Sequence, residues 1–304
     1  MKLTELLKQH QDKVTVSFEF IPPKKGISRV DLIERLKPLM EFNPLFVDVT
    51  THRDDIVFTR DSRVLEGYSY QRHPSTLVVC ESIRHAFPNT EVIPHILCGG
   101  FSKQETEDIL LDFNYLGYDN VVALTGDKLS YEKKFIPHPH GNKSSVDLIS
   151  QISDLNKGVS VSPASIKTDF CIGAACYPEC HYTSPNQCWD DRITKNKVES
   201  GAEFLISQMC FSVPKLLTQK VKCDSMGVHL IPGIKVLTSQ KQLTSIPNSF
   251  FVEIPTELEA ALYAETHMEF AVDFCKDLIT HGMKHLHFYT MNSSTVLPVL
   301  KELF

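Results

Sequence analysis

The segment Val14-Thr-Val-Ser-Phe-Glu-Phe20 decides how this chain reads. Val14, Val16, Phe18 and Phe20 share one face and Thr15, Ser17 and Glu19 the other, the period-two pattern of a strand. Pro22-Pro23 ends it, and a helical stretch follows near 28–41. In a barrel the apolar face meets the surrounding helices and the polar face the lumen. Glu19 then sits near the C-terminal mouth between Phe neighbours. A carboxyl in such a place holds its proton more tightly and can serve as a general acid. A buried Glu paired with Lys or Arg is the plainer alternative.

Further β-rich runs lie outward from this segment at Leu45–Thr50, Glu91–Leu97, Asn120–Leu124, Phe170–Ala175, Glu203–Gln208, Val228–Pro232 and Lys284–Tyr289. Helical stretches fall near 28–41, 73–87, 102–116, 143–156, 186–200, 213–226, 256–281 and 292–302. Ser102-Lys-Gln-Glu105 is a capping-box start. Gly201, Gly227 and Gly282 stand where helices should end before strands. Strand and helix alternating in this way predict an α/β fold, a single (β/α)8 barrel over residues 1–304. A doubly wound open sheet is the competitor. The loop at 125–143 follows a strand and belongs on the C-terminal face, where barrel active sites lie. The loop at 157–168 precedes a strand and belongs on the opposite face.

The 304 residues carry 31 Lys+Arg against 37 Asp+Glu, a net charge of −6, with 42% hydrophobic residues. Such a chain is apolar enough to fold and has no global attraction for nucleic acid or an anionic membrane. No window approaches the roughly 20 apolar residues of a membrane helix. The amphipathic start, MKLTELLKQHQDK, lacks the apolar core of a signal peptide, so a cytoplasmic location is expected. The nine Cys, mostly in apolar stretches, read as reduced thiols without a disulfide framework.

The chain has no G-x-G-x-x-G, no G-x-x-x-x-G-K-[ST], no H-E-x-x-H, no G-x-S-x-G and no C-x-x-C. Asp127 ends Val121-Val-Ala-Leu-Thr-Gly-Asp127, where it can face a ligand or cap the turn. His95, within Val92-Ile-Pro-His-Ile-Leu, reads as a core residue or a ligand. Gln208 closes a strand with an amide that suits a heterocycle edge. In the cluster Cys171, Cys176, Cys180, His181 and Cys188, only Cys176/Cys180 has a zinc-like spacing, so no metal is expected.

Taken in order, several of these stretches resemble the methylenetetrahydrofolate reductase family. They are Ser17-Phe-Glu-Phe-Ile-Pro-Pro23, Val47-Asp-Val-Thr50, Pro94-His-Ile-Leu-Cys98, Ala123-Leu-Thr-Gly-Asp127, Ala175-Cys-Tyr-Pro-Glu-Cys-His181, Lys197-Val-Glu-Ser-Gly-Ala-Glu-Phe-Leu-Ile-Ser-Gln208, Ile231-Pro-Gly-Ile234 and His287-Phe-Tyr-Thr-Met-Asn292. The length matches the short bacterial form. No regulatory domain or S-adenosylmethionine control is therefore expected.

The resemblance implies a flavin-dependent barrel in which NADH or NADPH reduces FAD. The reduced flavin then converts 5,10-methylenetetrahydrofolate to 5-methyltetrahydrofolate in a ping-pong cycle. It implies Glu19 as the acid that protonates N10, and Asp127 as a carboxylate between flavin and folate. Gln208 matches the residue that hydrogen-bonds folate. Thr50, His95, Thr125, Asp127, Ala175, Tyr177, His181, Asp190 and Lys197 match FAD-contacting positions, Asp190 and Lys197 by spacing. Homo-oligomers are common in the family.

This chain also departs from the family pattern. Thr125 stands where an Arg usually precedes Gly-Asp, removing a cation near the FAD phosphates. Thr51-His52 replaces a pair that is often Tyr-Gly, and Ile246 falls near a position where an aromatic ring often covers folate. Three other readings remain: a relative served by another electron donor, a flavin- or folate-binding module without catalysis, and an aldolase-type barrel lyase. The lyase needs a Schiff-base Lys at a strand end, and the sequence shows no clear one.

Overall fold

Pro232 has no N–H to give a ladder and divides one strand into two short pieces, which is how the barrel of this protein closes. The computed structural model describes residues 1–61, 64–129, 131–163, 166–291 and 294–304. Its strands are β1 (Thr15–Phe20), β2 (Phe46–Val49), β3 (Asp55–Asp61), β4 (Val64–Tyr70), β5 (Glu91–Leu97), β6 (Asn120–Leu124), β7 (Cys171–Cys176), β8 (Phe204–Ser207), β9 (His229–Ile231), β10 (Gly233–Ile234) and β11 (His285–Tyr289). Its helices are α1 (Leu3–Gln9), α2 (Arg29–Met40), α3 (Thr76–Ala86), α4 (Lys103–Tyr115), α5 (Ser145–Asn156), α6 (Gln187–Glu199), α7 (Val213–Ser225), α8 (Gln242–Phe250), α9 (Thr256–Tyr263), α10 (His267–Thr280) and α11 (Leu297–Leu303).

The main sheet runs β10-β11-β1-β2-β5-β6-β7-β8-β9, parallel throughout. Its two ends, β9 and β10, are the halves separated by Pro232. The Pro232 carbonyl accepts from the His287 N–H at 3.2 Å and carries the ladder across the break. Counting β9–β10 as one strand, eight parallel strands close on themselves, with helices outside. This is the α/β TIM barrel that the alternation predicts.

The alternation on β1 holds. Val16 and Phe18 pack outward with Ala271, Val272, Cys275 and Leu300 of α10 and α11, and Phe20 packs with Leu32 and Leu36 of α2. Ser17 points into the lumen, where its hydroxyl meets His287 Nδ1 at 2.8 Å and His285 Nε2 at 2.9 Å. Phe204 also fills the lumen. A Cβ at Gly173 would lie 2.3 Å from its ring, so β7 needs glycine there. The capping box forms at Ser102/Glu105, and Gly227 and Gly282 take φ of +70° and +85° after α7 and α10.

Four features differ from the sequence reading. Helix α1 plugs the N-terminal end of the barrel, with Leu3, Leu6 and Leu7 packing on Phe46, Ile93, Val122, Phe204 and Ile231. An antiparallel hairpin, β3–β4, is inserted between β2 and α3. Helix α8 occupies the long stretch after β10. The expected helix at 256–281 is two helices, broken where Glu265 takes a left-handed φ of +61°. Asn292, which ends the last family-like motif, lies outside the described residues. Among the described residues, no helix is long and apolar enough to cross a membrane.

Candidate active site

With the N-terminal end plugged, the open end of the barrel is the C-terminal one. There the strand ends and following loops line a cavity of about 1100 Å³. Every site residue read from the sequence lines it: Glu19, Thr50, His95, Thr125, Asp127, Ala175, Tyr177, His181, Asp190, Lys197 and Gln208.

Parallel register builds the acidic centre. Glu19 on β1 is the direct partner of Asp48 on β2 and of Tyr289 on β11. His95 rises from β5, and its Nε2 lies 2.8 Å from Asp48 Oδ2. Ligating atoms of Glu19, Asp48 and His95 lie within 4.8 Å of one another, close enough to hold a cation. His95 Nε2, however, is already spent on Asp48. Asp127 follows the turn at Gly126, whose φ of +85° suits glycine.

These neighbours set the proton affinity of Glu19. Burial, with the Asp48 and Asp127 charges, raises its pKa to about 7, against opposition from His95 and Lys235. Burial disfavours charge on His95, but the hydrogen bond and charge of Asp48, with Glu19, raise its pKa overall. A polar line continues below Asp48. His287 Nε2 is 3.6 Å from Asp48 Oδ1, and Ser17 Oγ joins His287 Nδ1 to His285 Nε2. His285 Nδ1 ends the line 2.8 Å from Thr15 Oγ1. Burial lowers the pKa of both imidazoles, so each ring keeps one N–H. One consistent arrangement has Thr15 donating to His285, His285 to Ser17 and Ser17 to His287, leaving the His287 Nε2–H facing Asp48.

The other side of the cavity is built on β7 and α6. Lys197 is 5% exposed and donates to the Ala175 carbonyl at 2.7 Å, with its ammonium 5.4 Å from the Tyr177 ring centroid. Burial lowers its pKa. His181 meets Tyr177 edge-on at 4.5 Å. Asp190, 3% exposed, accepts from Ser184 Oγ at 2.8 Å. Gln208 turns its Oε1 to the Met209 N–H at 2.9 Å.

Thr125 reaches the start of α5, which Ser144 caps, its Oγ1 accepting from the Ser145 N–H at 3.2 Å. A cation beside this turn is Arg53, a residue the sequence reading missed. Its guanidinium forks onto Glu132 at 3.1 and 3.2 Å and donates to the Asp127 carbonyl at 3.4 Å. Its stem lies on Gly99, where a Cβ would be 2.6 Å from Arg53 Cδ. Asp48, Tyr289 and Lys235 were also unassigned; period-two placement on β2 would have put Asp48 in the lumen. Ile246 does not face the cavity but is buried with Met209, Phe211 and Val252. The aromatic edge is formed by Phe251, stacked on Tyr182 at 4.5 Å. The cysteine cluster is dispersed: Cys171 and Cys176 sit at opposite ends of β7, and Cys176 contacts Cys223 on α7. A lysine does stand past a barrel strand, Lys235 after β10, but its Nζ is held by the Tyr289 carbonyl at 3.0 Å.

A family model described as methylenetetrahydrofolate reductase matches residues 2–303. The chain is 29% identical over 322 residues to methylenetetrahydrofolate reductase 2 of Saccharomyces cerevisiae, covering 100% of this chain and 50% of the relative. It is 28% identical over 302 residues to the 5,10-methylenetetrahydrofolate reductase of Escherichia coli K12, covering 95% of this chain and 90% of the relative. The chain thus spans about half the length of its yeast and plant relatives and most of its bacterial ones. A Clostridium thermocellum protein described as binding two copies of 5-methyl-5,6,7,8-tetrahydrofolic acid shares the fold, with a TM-score of 0.61, 13% identity and 98% coverage of both chains. The match along nearly its whole length shows that the chain belongs to the methylenetetrahydrofolate reductase family, a family of oxidoreductases.

Proposed function

We propose that this protein reduces 5,10-methylenetetrahydrofolate to 5-methyltetrahydrofolate, using FAD and a nicotinamide donor in a ping-pong cycle. The observation that carries the reading is the placement of Glu19: it stands at a strand end next to Asp48 and lines one large cavity with Asp127, where burial and these carboxylates raise its pKa to about 7. An acid so placed is protonated in part at neutral pH and can still give its proton away.

The cavity's size and donor set suit FAD. Lys197 and Arg53 are cations at its wall, while Thr50, His95, Tyr177, His181 and Asp190 offer polar edges. Bound there, FAD would supply a carrier that accepts hydride from NADH or NADPH and later delivers it to folate. The rest is done by this chain's residues. Glu19 donates its proton to N10 as the ring C–N10 bond breaks, the bonding pair staying on N10. Asp127 favours the resulting cationic iminium electrostatically. Gln208 hydrogen-bonds the folate heterocycle and orients it.

The test is anaerobic. The protein is loaded with FAD and its visible spectrum recorded, NADH or NADPH is added, and then 5,10-methylenetetrahydrofolate. Bleaching followed by return of the yellow colour supports the reading. Reoxidation by folate only after chemical reduction would replace the nicotinamide with another donor. No flavin binding would overturn the reading.

A further inference from the structure

Lys235 is buried, 6% exposed, just past the end of β10. Its Nζ donates to the Tyr289 carbonyl at 3.0 Å, and Tyr289 is the strand partner of Glu19. Lys235, Tyr289 and Glu19 thus stand at three neighbouring strand ends. The Tyr289 hydroxyl donates to the Ser207 carbonyl at 2.7 Å, and Thr290 Oγ1 to the Glu19 carbonyl at 2.9 Å, so this side of the mouth is fixed. Among the described residues, Lys235 forms no contact ion pair with a carboxylate.

We propose that Lys235 is a positioning residue for the acid: its ammonium, held on the Tyr289 carbonyl one strand away from Glu19, stabilises the carboxylate that remains once the proton has gone to substrate. This rests on the reading of Glu19 as the acid. The balance of charge around Glu19 supports it. Asp48 faces Glu19 from β2 and Asp127 from the turn after β6, and both oppose loss of its proton. His95 faces it from β5, but the His95 charge is bonded to Asp48. Lys235 is the other cation that acts on Glu19, and Glu19 in turn resists the loss of charge that burial, lowering its pKa to about 8, imposes on Lys235. Without Lys235, a proton given to N10 would leave an anion facing two other anions, and Glu19 would hold that proton too tightly to be an efficient acid.

The test reads the carboxyl itself. Infrared pH titration of the intact FAD-loaded chain follows Glu19, its band assigned by loss in Glu19→Gln. The Glu19 midpoint should rise by about one pH unit in Lys235→Met and return in Lys235→Arg. Lys235→Gln serves the same purpose should the Met variant fail to fold. The alkaline limit of flavin reoxidation by 5,10-methylenetetrahydrofolate should move by the same amount. Superimposable titrations in parent and variants would overturn the proposal. If folate reoxidises flavin in no form of the protein, the functional reading fails while the infrared result still decides the Glu19–Lys235 pairing.

Discussion

His95 Nε2 lies 2.8 Å from Asp48 Oδ2, and Asp48 is in turn the strand partner of Glu19. One buried carboxylate therefore sets two proton affinities, holding charge on His95 and resisting charge on Glu19. Replacing Asp48 with Asn should lower both. The alkaline limit of the folate half-reaction should fall by about one pH unit. The pH dependence of folate-driven flavin reoxidation measures this, and an unmoved limit would show that Asp48 does not act on Glu19.

The same burial has a stability signature. The Glu19 pKa is raised from 4.5 to about 7, chiefly by desolvation. Below pH 4.5 the group is protonated in both folded and unfolded states. As pH rises towards 7 the unfolded chain releases the proton first, so folding stability is lost through that window and the loss is complete above it. The full effect is about 3 kcal/mol. Glu19→Gln does not titrate, so its stability advantage in urea should grow from pH 4.5 to 7.5 and then level off. A pH-independent difference would contradict the raised affinity.

Arg53 and Glu132 form a forked pair whose side chains are 11% and 6% exposed. Arg53→Met would leave Glu132 buried without its partner, at a cost of about 3 kcal/mol. Adding Glu132→Gln should recover part of that loss. Because Arg53 also holds the Asp127 carbonyl, the single variant should bind FAD less tightly. Thermal melts and a flavin titration check the two effects. Full additivity of the two substitutions would mean that the pair does not act as a unit.

A methyl group at Gly173 would strike the Phe204 ring at 2.3 Å. Gly173→Ala should therefore destabilise the barrel by about 2 kcal/mol, with partial rescue by Phe204→Leu. Urea denaturation of the two variants and their combination measures it.

The barrel is readable from β1 because one strand face packs on helices and the other fills a lumen. Phe18 and Ser17 had to face opposite ways, and they do. The hairpin β3–β4 is harder to see. Its two strands pair antiparallel with each other in a sheet separate from the barrel, so the alternation of parallel strands and helices does not point to it. The start of the chain looks like a surface helix because α1 buries only one stripe, Leu3, Leu6 and Leu7, in the barrel floor. Motifs named Glu19, Asp127 and Gln208, but not the residues that tune them. Lys235 and Arg53 act through neighbours set side by side only by strand register and loop contact, and no linear spacing records that.

The most direct test of the account separates the two halves of the cycle in Glu19→Gln. Gln cannot give N10 a proton, but it keeps the shape of the cavity wall. With FAD bound, NADH or NADPH should bleach the variant's flavin at close to the parent rate. Reoxidation by 5,10-methylenetetrahydrofolate should fall by about a thousandfold or more. Near-normal reoxidation in the variant would contradict the role of Glu19 as the acid.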